Sequence, residues 1–320
     1  MFEFREAKKY IKKANKIYIV GHINPDGDSI GASFSMCLAL RKMGKNVDVI
    51  MPKHSDIFNF LPHMSEAKTF IEEDSIDLLI AVDSSDIKRL GLSEDDIKKA
   101  KNILMIDHHK RSNVYGKVNV IDETCPATCQ LVYEFITYLK IKIDIDIATY
   151  LYAGILTDTG SFNYASTNER TLAIVSKLVG LGIDFAYICK KLNDTVKESK
   201  LKLIATAINN MEVYEDGKIR YTYVDYDTIC KLGVEEEDAE GMTNYLRMVQ
   251  GTEVAVYVRG KSNGSNKVSL RSGDKVDVSA VAILFGGGGH KRASGYTMPE
   301  TIDISKQKLL DELKRLIYIN

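Results

Sequence analysis

Apolar positions in the first half of the chain alternate between two rhythms. Over residues 3–14 they recur at helical spacing (Phe4, Ala7, Tyr10, Ile11, Ala14), and Lys16-Ile17-Tyr18-Ile19-Val20 follows as a β-branched run of strand length. Ser29 to Met43 returns to helical spacing, with Ile30, Phe34, Cys37, Leu38 and Leu40 ahead of Gly44 as a C-cap. Further runs of strand length lie at Val47–Met51, Ile76–Val82, Ile103–Ile106 and Val118–Ile121. Ser93-Glu94-Asp95-Asp96 predicts the start of one connecting helix and Ala127–Leu139 another. Asp144–Thr157 predicts a third, its stripe formed by Ile147, Tyr150, Leu151, Gly154 and Ile155. Strand, loop and helix repeated in this way specify a parallel α/β sheet.

Ser166-Thr167-Asn168-Glu169 reads as a capping box opening a helix that ends near Gly180 and Gly182, and Thr195-Val196-Lys197-Glu198 as a second box starting a helix to about Asn210. Between about Phe185 and Ser199, short polar and charged residues interrupt the sheet pattern. They predict a linker, itself open to a helical reading, between a first domain over 1–190 and a second over 200–320. Beyond it, Met211–Tyr214 and Lys218–Val224 flank Glu215-Asp216-Gly217 as a hairpin, and Glu253–Arg259 and Lys267–Arg271 flank a Gly/Ser/Asn turn. The last amphipathic helix spans Ile304–Ile317. The predicted class is α/β: a parallel-sheet, Rossmann-like first domain and a smaller mixed α/β C-terminal domain.

Length and charge narrow the picture. A chain of 320 residues suits two cores. Lys plus Arg number 43 and Asp plus Glu 44, so bulk electrostatics argue against a protein that coats nucleic acid or an anionic membrane, and an anionic substrate must be held locally. The five cysteines (Cys37, Cys125, Cys129, Cys189, Cys230) are odd in number and scattered, the pattern of reduced thiols in a cytoplasmic protein. Cys125 and Cys129 lack a second Cys/His pair at zinc spacing and read as small buried residues. Neither a signal-peptide core nor an apolar run of membrane-spanning length is present, so no membrane partner is expected.

Candidate chemistry gathers at strand ends, where ligands collect in open α/β sheets. His22, Asp26 and Asp28 follow the first strand, with Gly27 between the two acids expected to form a tight loop presenting both carboxylates. Asp83 ends the run Leu78–Val82, and Asp107-His108-His109 ends the run from Ile103. Asp158 follows the helix of Asp144–Thr157, where an acid opposes the helix dipole and a facing cation would offset that cost. A single Asp after a strand is ordinarily a turn residue, and a lone His a hydrogen-bonded surface or core group. The combination is another matter: a His/carboxylate set without Cys suits hard or borderline divalent ions, and this many donors suffice for two metals sharing a carboxylate.

HINPDGDSIG, VDSSD, IDHH and GILTDTGSF, in that order, resemble the four motifs of the DHH phosphoesterase superfamily. GGGGH at Gly286–His290, followed by Lys291-Arg292-Ala293-Ser294-Gly295, resembles the glycine-rich signature of the DHH-associated C-terminal domain. The resemblance runs from about Lys16 to Met298. With this length and no added module it points to the NrnA-like subgroup, nano-RNases that also act on 3′-phosphoadenosine 5′-phosphate. It implies that His22, Asp26 and Asp83 hold one metal and Asp28, Asp83, His108 and Asp158 the other, with Asp83 bridging. Asp107 would orient a histidine and His109 would touch the scissile phosphate, as a charge stabiliser or as the acid for the leaving oxygen. Manganese is the metal implied; the ligand types also permit magnesium or cobalt.

The resemblance further implies that the C-terminal domain closes over the nucleotide end of the substrate, through Gly287, Gly288, Gly289, His290, Arg271 and Arg292. Four glycines otherwise read as a floppy turn, but a backbone without side chains lets a phosphate meet several N–H groups. Lys110-Arg111 would extend the cationic side of the cleft or form a solvated surface pair. The expected function is hydrolysis of very short RNA to mononucleotides and of 3′-phosphoadenosine 5′-phosphate to AMP. Weak bulk charge suits short substrates better than long nucleic acid, which needs an extended basic track. A cyclic- or linear-dinucleotide phosphodiesterase would use the same metals. An inorganic pyrophosphatase would be expected to carry Lys and Arg anchors in place of GGGGH, and a metal-retaining RNA-binding module without turnover needs no intact ligand set. A homodimer is compatible with the sequence, which does not fix the oligomeric state.

Overall fold

Helix α1 (Phe2–Lys13) leads into strand β1 (Lys16–Val20), helix α2 (Gly27–Lys42) and strand β2 (Asn46–Ile50). Strand β3 (Leu78–Val82), helix α3 (Glu94–Lys98) and strands β4 (Ile103–Asp107) and β5 (Val118–Ile121) complete the sheet, before helices α4 (Thr128–Tyr138), α5 (Ile145–Asp158), α6 (Glu169–Val179) and α7 (Phe185–Asn193). The computed structural model describes residues 2–109, 114–235, 238–273, 275–298 and 302–319. The chain divides into two units, Met1–Thr195 and Val196–Asn320.

The five strands of the first unit are parallel, in the order β2-β1-β3-β4-β5. Their near-continuous apolar runs follow from burial on both faces. Ile17, Ile19, Leu78, Ile80, Val82, Leu104 and Ile106 join one core with residues of α1, α2, α4 and α5, while the alternate residues Tyr18, Val20, Leu79 and Ala81 join a second with Ile71, Ile76 and Leu90. Strand order reverses at β1, which has β2 on one side and β3 on the other. The carboxyl ends of β1 and β3 therefore frame the crevice in which ligands settle in open parallel sheets.

Helix α5 is pressed against α2 at two glycines. A Cβ on Gly31 would lie 2.5 Å from Tyr150 O and 3.3 Å from Gly154 Cα; one on Gly154 would lie 3.1 Å from Asp28 Cα and 2.2 Å from Cys129 Sγ. Phe34 stacks on Tyr150 at 4.9 Å on the same interface. Gly31 is about one turn beyond Asp28 and Gly154 about one turn before Asp158, so this contact brings the two acids to one place.

The second unit holds α8 (Glu198–Asn209), β6 (Glu212–Tyr214), β7 (Ile219–Val224), α9 (Tyr226–Lys231), α10 (Met242–Arg247), β8 (Val254–Gly260), β9 (Asn266–Ser272), α11 (Val278–Leu284), β10 (Gly288–His290), β11 (Ala293–Met298) and α12 (Ile302–Ile319). Its six-stranded sheet runs β10-β11-β9-β8-β7-β6 and is antiparallel except where β7 meets β8. Val254, Val256, Val258, Val268 and Leu270 form a core with Leu309, Leu310 and Leu313 of α12, and Leu203, Ile204 and Ala207 of α8 form another with Met242 and Tyr257. The β6–β7 turn passes through Glu215, Asp216 and Gly217, all at positive φ.

Local caps differ from expectation at several points. Asp26 and Asp28 do not share a loop: the Asp26 carboxylate accepts hydrogen bonds from Asp28 N and Ser29 N, so α2 begins at Gly27 and Asp28 sits in its first turn. Asn168, rather than Ser166, caps α6 by accepting from Thr171 N. Thr195 does not cap the following helix, whose N-cap is Lys197; its hydroxyl donates to Lys190 O at the end of α7, a helix that occupies much of the expected linker. Helices α9–α11 and strands β10 and β11 are too short for hydrophobic periodicity to delimit.

Candidate metal centre

His22 lies just past the end of β1, and its Nε2 is 3.8 Å from Asp26 Oδ1 and 3.7 Å from Asp83 Oδ2. Asp83 follows β3 and is 3 % exposed, with φ of 53°, a left-handed conformation that Asp tolerates better than most residues. Its other oxygen, Oδ1, lies 3.7 Å from His108 Nε2 and 3.7 Å from His109 Nδ1. His108 Nε2 is in turn 3.2 Å from Asp158 Oδ2 at the end of α5. Three sets of donor atoms therefore each fall within 4.8 Å: His22, Asp26 and Asp83; Asp83, His108 and His109; and Asp28, His108 and Asp158. Asp83 belongs to two of them through different oxygens.

The supporting hydrogen bonds aim these donors inward. His108 Nδ1 is 3.1 Å from Cys125 O, which fixes the proton there and leaves the Nε2 lone pair facing the carboxylates. Burial holds the His108 pKa below its ordinary value, favouring that neutral form. His109 is tied differently: its backbone N–H and Nδ1 both lie against Asp107 Oδ1, at 2.9 and 2.8 Å, and Asp107 is fully buried at the end of β4. This bond raises the His109 pKa. Asp28 accepts from Thr128 N on Oδ2 at 2.5 Å and from Cys129 N on Oδ1 at 2.8 Å, both at the start of α4.

Buried carboxylates crowded against one another resist ionisation. Burial, then the neighbouring Asp26, pushes Asp28 up to about 6. Burial, then Asp28, pushes Asp158 up to about 7. Asp83 rises well above the carboxylate range through burial and repulsion from Asp28, Asp26, Asp158 and Asp107. Oxygen and imidazole donors held close at an electrostatic cost fit one or more divalent cations, whose charge would relieve it.

All eight residues expected from the first unit thus meet at one place, while Lys110 and Arg111 lie outside the described residues. Pattern reading missed Cys125, whose carbonyl orients His108, and Thr128, whose hydroxyl donates to Asp83 Oδ1 at 3.0 Å. The carbonyl carries no side-chain signal. Thr128 stood within a stretch read only as a connecting helix. Cys125 and Cys129 are both buried and belong to none of the three donor sets.

In the second unit, Arg271 of β9 pairs in register with Ala293 of β11, and Ser272 N donates to Arg292 O, so Arg271 and the Lys291-Arg292 turn are neighbours. The four glycines are not one floppy loop. Gly286 has φ of 77°; a Cβ on Gly287 would meet Gly295 O at 2.2 Å, and one on Gly289 would meet Ala293 O at 2.5 Å. Packing against β11 accounts for Gly287 and Gly289, whereas Gly286 and Gly288 face open space. His290 is exposed at the end of the edge strand β10.

Both units of the chain resemble known proteins. Residues 16–155 match the model of the DHH family, N-terminal domain, and residues 216–318 match the DHHA1 domain. The chain is 30 % identical over 301 residues to the bifunctional oligoribonuclease and PAP phosphatase NrnA of Thermus thermophilus, covering 93 % of this chain and 89 % of that protein. It is 29 % identical to the protein of the same name from Mycoplasma genitalium, covering 98 % of each. The crystal structure of an exopolyphosphatase-related protein from Bacteroides fragilis superposes with a TM-score of 0.91 at 27 % identity, over 98 % of this chain and 97 % of that one. On this evidence the chain belongs to the DHH family of phosphoesterases, in the form that carries a DHHA1 domain after the DHH domain.

Proposed function

We propose that the protein is a metal-dependent phosphoesterase that hydrolyses short oligoribonucleotides to mononucleotides and 3′-phosphoadenosine 5′-phosphate to AMP. The observation that carries this reading is Asp83, whose two oxygens face different donor sets. His22, Asp26 and Asp83 would hold one divalent ion, and Asp28, Asp83, His108 and Asp158 a second, with manganese the metal of choice. When bound, such a pair lowers the pKa of an attacking water and neutralises charge on the phosphoryl oxygens. His109, held at Nδ1 by Asp107, offers Nε2–H to a phosphoryl or leaving oxygen. His290, Arg271 and Arg292, with the backbone of Gly287–Gly289, hold the nucleotide end of the substrate.

The names of the NrnA relatives support this pair of substrates, and the formal charge of −1 supports short ligands over long nucleic acid. All five cysteines are free, which supports work in a reducing cytoplasm. The test is a hydrolysis panel with Mn²⁺: dinucleotides, longer RNA, 3′-phosphoadenosine 5′-phosphate, cyclic dinucleotides and pyrophosphate. Turnover of dinucleotides and 3′-phosphoadenosine 5′-phosphate is expected. Turnover confined to the cyclic compounds or to pyrophosphate would overturn the reading.

A further inference from the structure

Thr128 occupies the first position of α4 without doing a cap's work. The N-cap is Ala127, which supplies no side-chain bond, and the Thr128 side chain is fully buried. Its hydroxyl donates to Asp83 Oδ1 at 3.0 Å while its backbone N–H donates to Asp28 Oδ2. One residue therefore holds an acid from the end of β3 and an acid from the first turn of α2. The Asp83 carboxylate needs such a restraint. Carboxylate torsions are broad and roughly two-fold, yet Oδ2 must face His22 while Oδ1 faces His108, each at 3.7 Å.

We propose that Thr128 is a positioning residue whose hydroxyl fixes the plane of the Asp83 carboxylate, so that its two oxygens serve two cation positions at once. The proposal rests on the reading that Asp83 is shared between metals. Any substitution at position 128 other than proline keeps the backbone bond to Asp28, so the hydroxyl's contribution can be isolated. Thr128→Val keeps the buried β-branched shape and removes the donor; Thr128→Ser keeps the donor and removes a methyl group.

The probe is Mn²⁺ alone, titrated calorimetrically into full-length protein stripped with EDTA, with urea midpoints as the check on folding. Thr128→Val should lose on the order of 10–100-fold in Mn²⁺ affinity, and Thr128→Ser should stay within about threefold of wild type. Wild-type affinity in Thr128→Val, or a loss in Thr128→Ser as large as in Thr128→Val, overturns the proposal. Should the valine variant not fold, Thr128→Ala replaces it with the same expectation. Asp83→Asn in the same titration separates the two levels: undiminished binding there means that the sharing of Asp83 fails, and the proposal falls with it.

Discussion

Asp83→Asn should move stability and function in opposite directions. In the metal-free protein the Asp83 and Asp158 carboxylates lie 3.7 and 3.2 Å from the same atom, His108 Nε2. Two charges so placed are at most about 7 Å apart and repel by about 2 kcal/mol at an effective dielectric constant of about 20. Asp28, Asp26 and Asp107 add to the effect. Near pH 8 the unfolded chain carries Asp83 ionised, whereas the folded chain must accept the repulsion or bind a proton. Because the folded pKa is raised above 3.8, stability from this group is lost as pH rises from near that value toward the folded pKa. Asparagine has no such loss, offers Thr128 an acceptor, and tolerates the left-handed backbone, where alanine would add strain of its own. Thermal unfolding in EDTA near pH 8 should therefore show the variant higher by roughly 4–8 °C, the gap closing near pH 4. Added Mn²⁺ at about 100 times Kd should raise the wild type by about 2.7 kcal/mol and the variant by much less, reversing the order, and phosphoester hydrolysis should be lost. A variant less stable than wild type in EDTA at every pH, or one that keeps its metal response, would refute the electrostatic account of this centre.

Three further outcomes follow from the same geometry. Gly31→Ala gains helix propensity of about 1 kcal/mol but places a Cβ 2.7 Å from Cys129 Sγ and 2.5 Å from Tyr150 O, so it should destabilise by about 1–3 kcal/mol in urea unfolding; a stabilised variant would contradict the close packing of α2 on α5. Asp107→Asn weakens the bond that raises the His109 pKa, so His109 loses its proton at lower pH. The alkaline limb of kcat/KM should move down in pH while calorimetric Mn²⁺ affinity is kept, and an unmoved limb would remove His109 from the proton-donor role. His290→Ala should raise KM for a dinucleotide about tenfold, the loss of one hydrogen bond near 1.4 kcal/mol, and spare cleavage of bis-p-nitrophenyl phosphate; equal losses on both would count against substrate holding.

Sequence alone determined a good deal here. Strand β1 and the chemistry of the seven donor residues are legible because a buried parallel strand must be a short apolar run, and because side-chain type decides which ions a site can hold. Partnership is not a local property. Which strand neighbours β1, and hence that His22 and Asp83 face one crevice, was decided by the reversal of strand order. That Asp28 and Asp158 meet was decided by Gly31 on Gly154, residues about 120 positions apart in a contact that no periodicity encodes. Asp26, read as a loop ligand, is at once a helix cap, since the same carboxylate lone pairs can accept from backbone N–H groups. The glycine run shows the opposite limit: sequence marks it as special, but only the neighbouring strand β11 reveals that Gly287 and Gly289 answer to packing, while Gly286 and Gly288 face open space and His290 is exposed. Residue type fixes what chemistry a position can perform; tertiary contact fixes which positions perform it together.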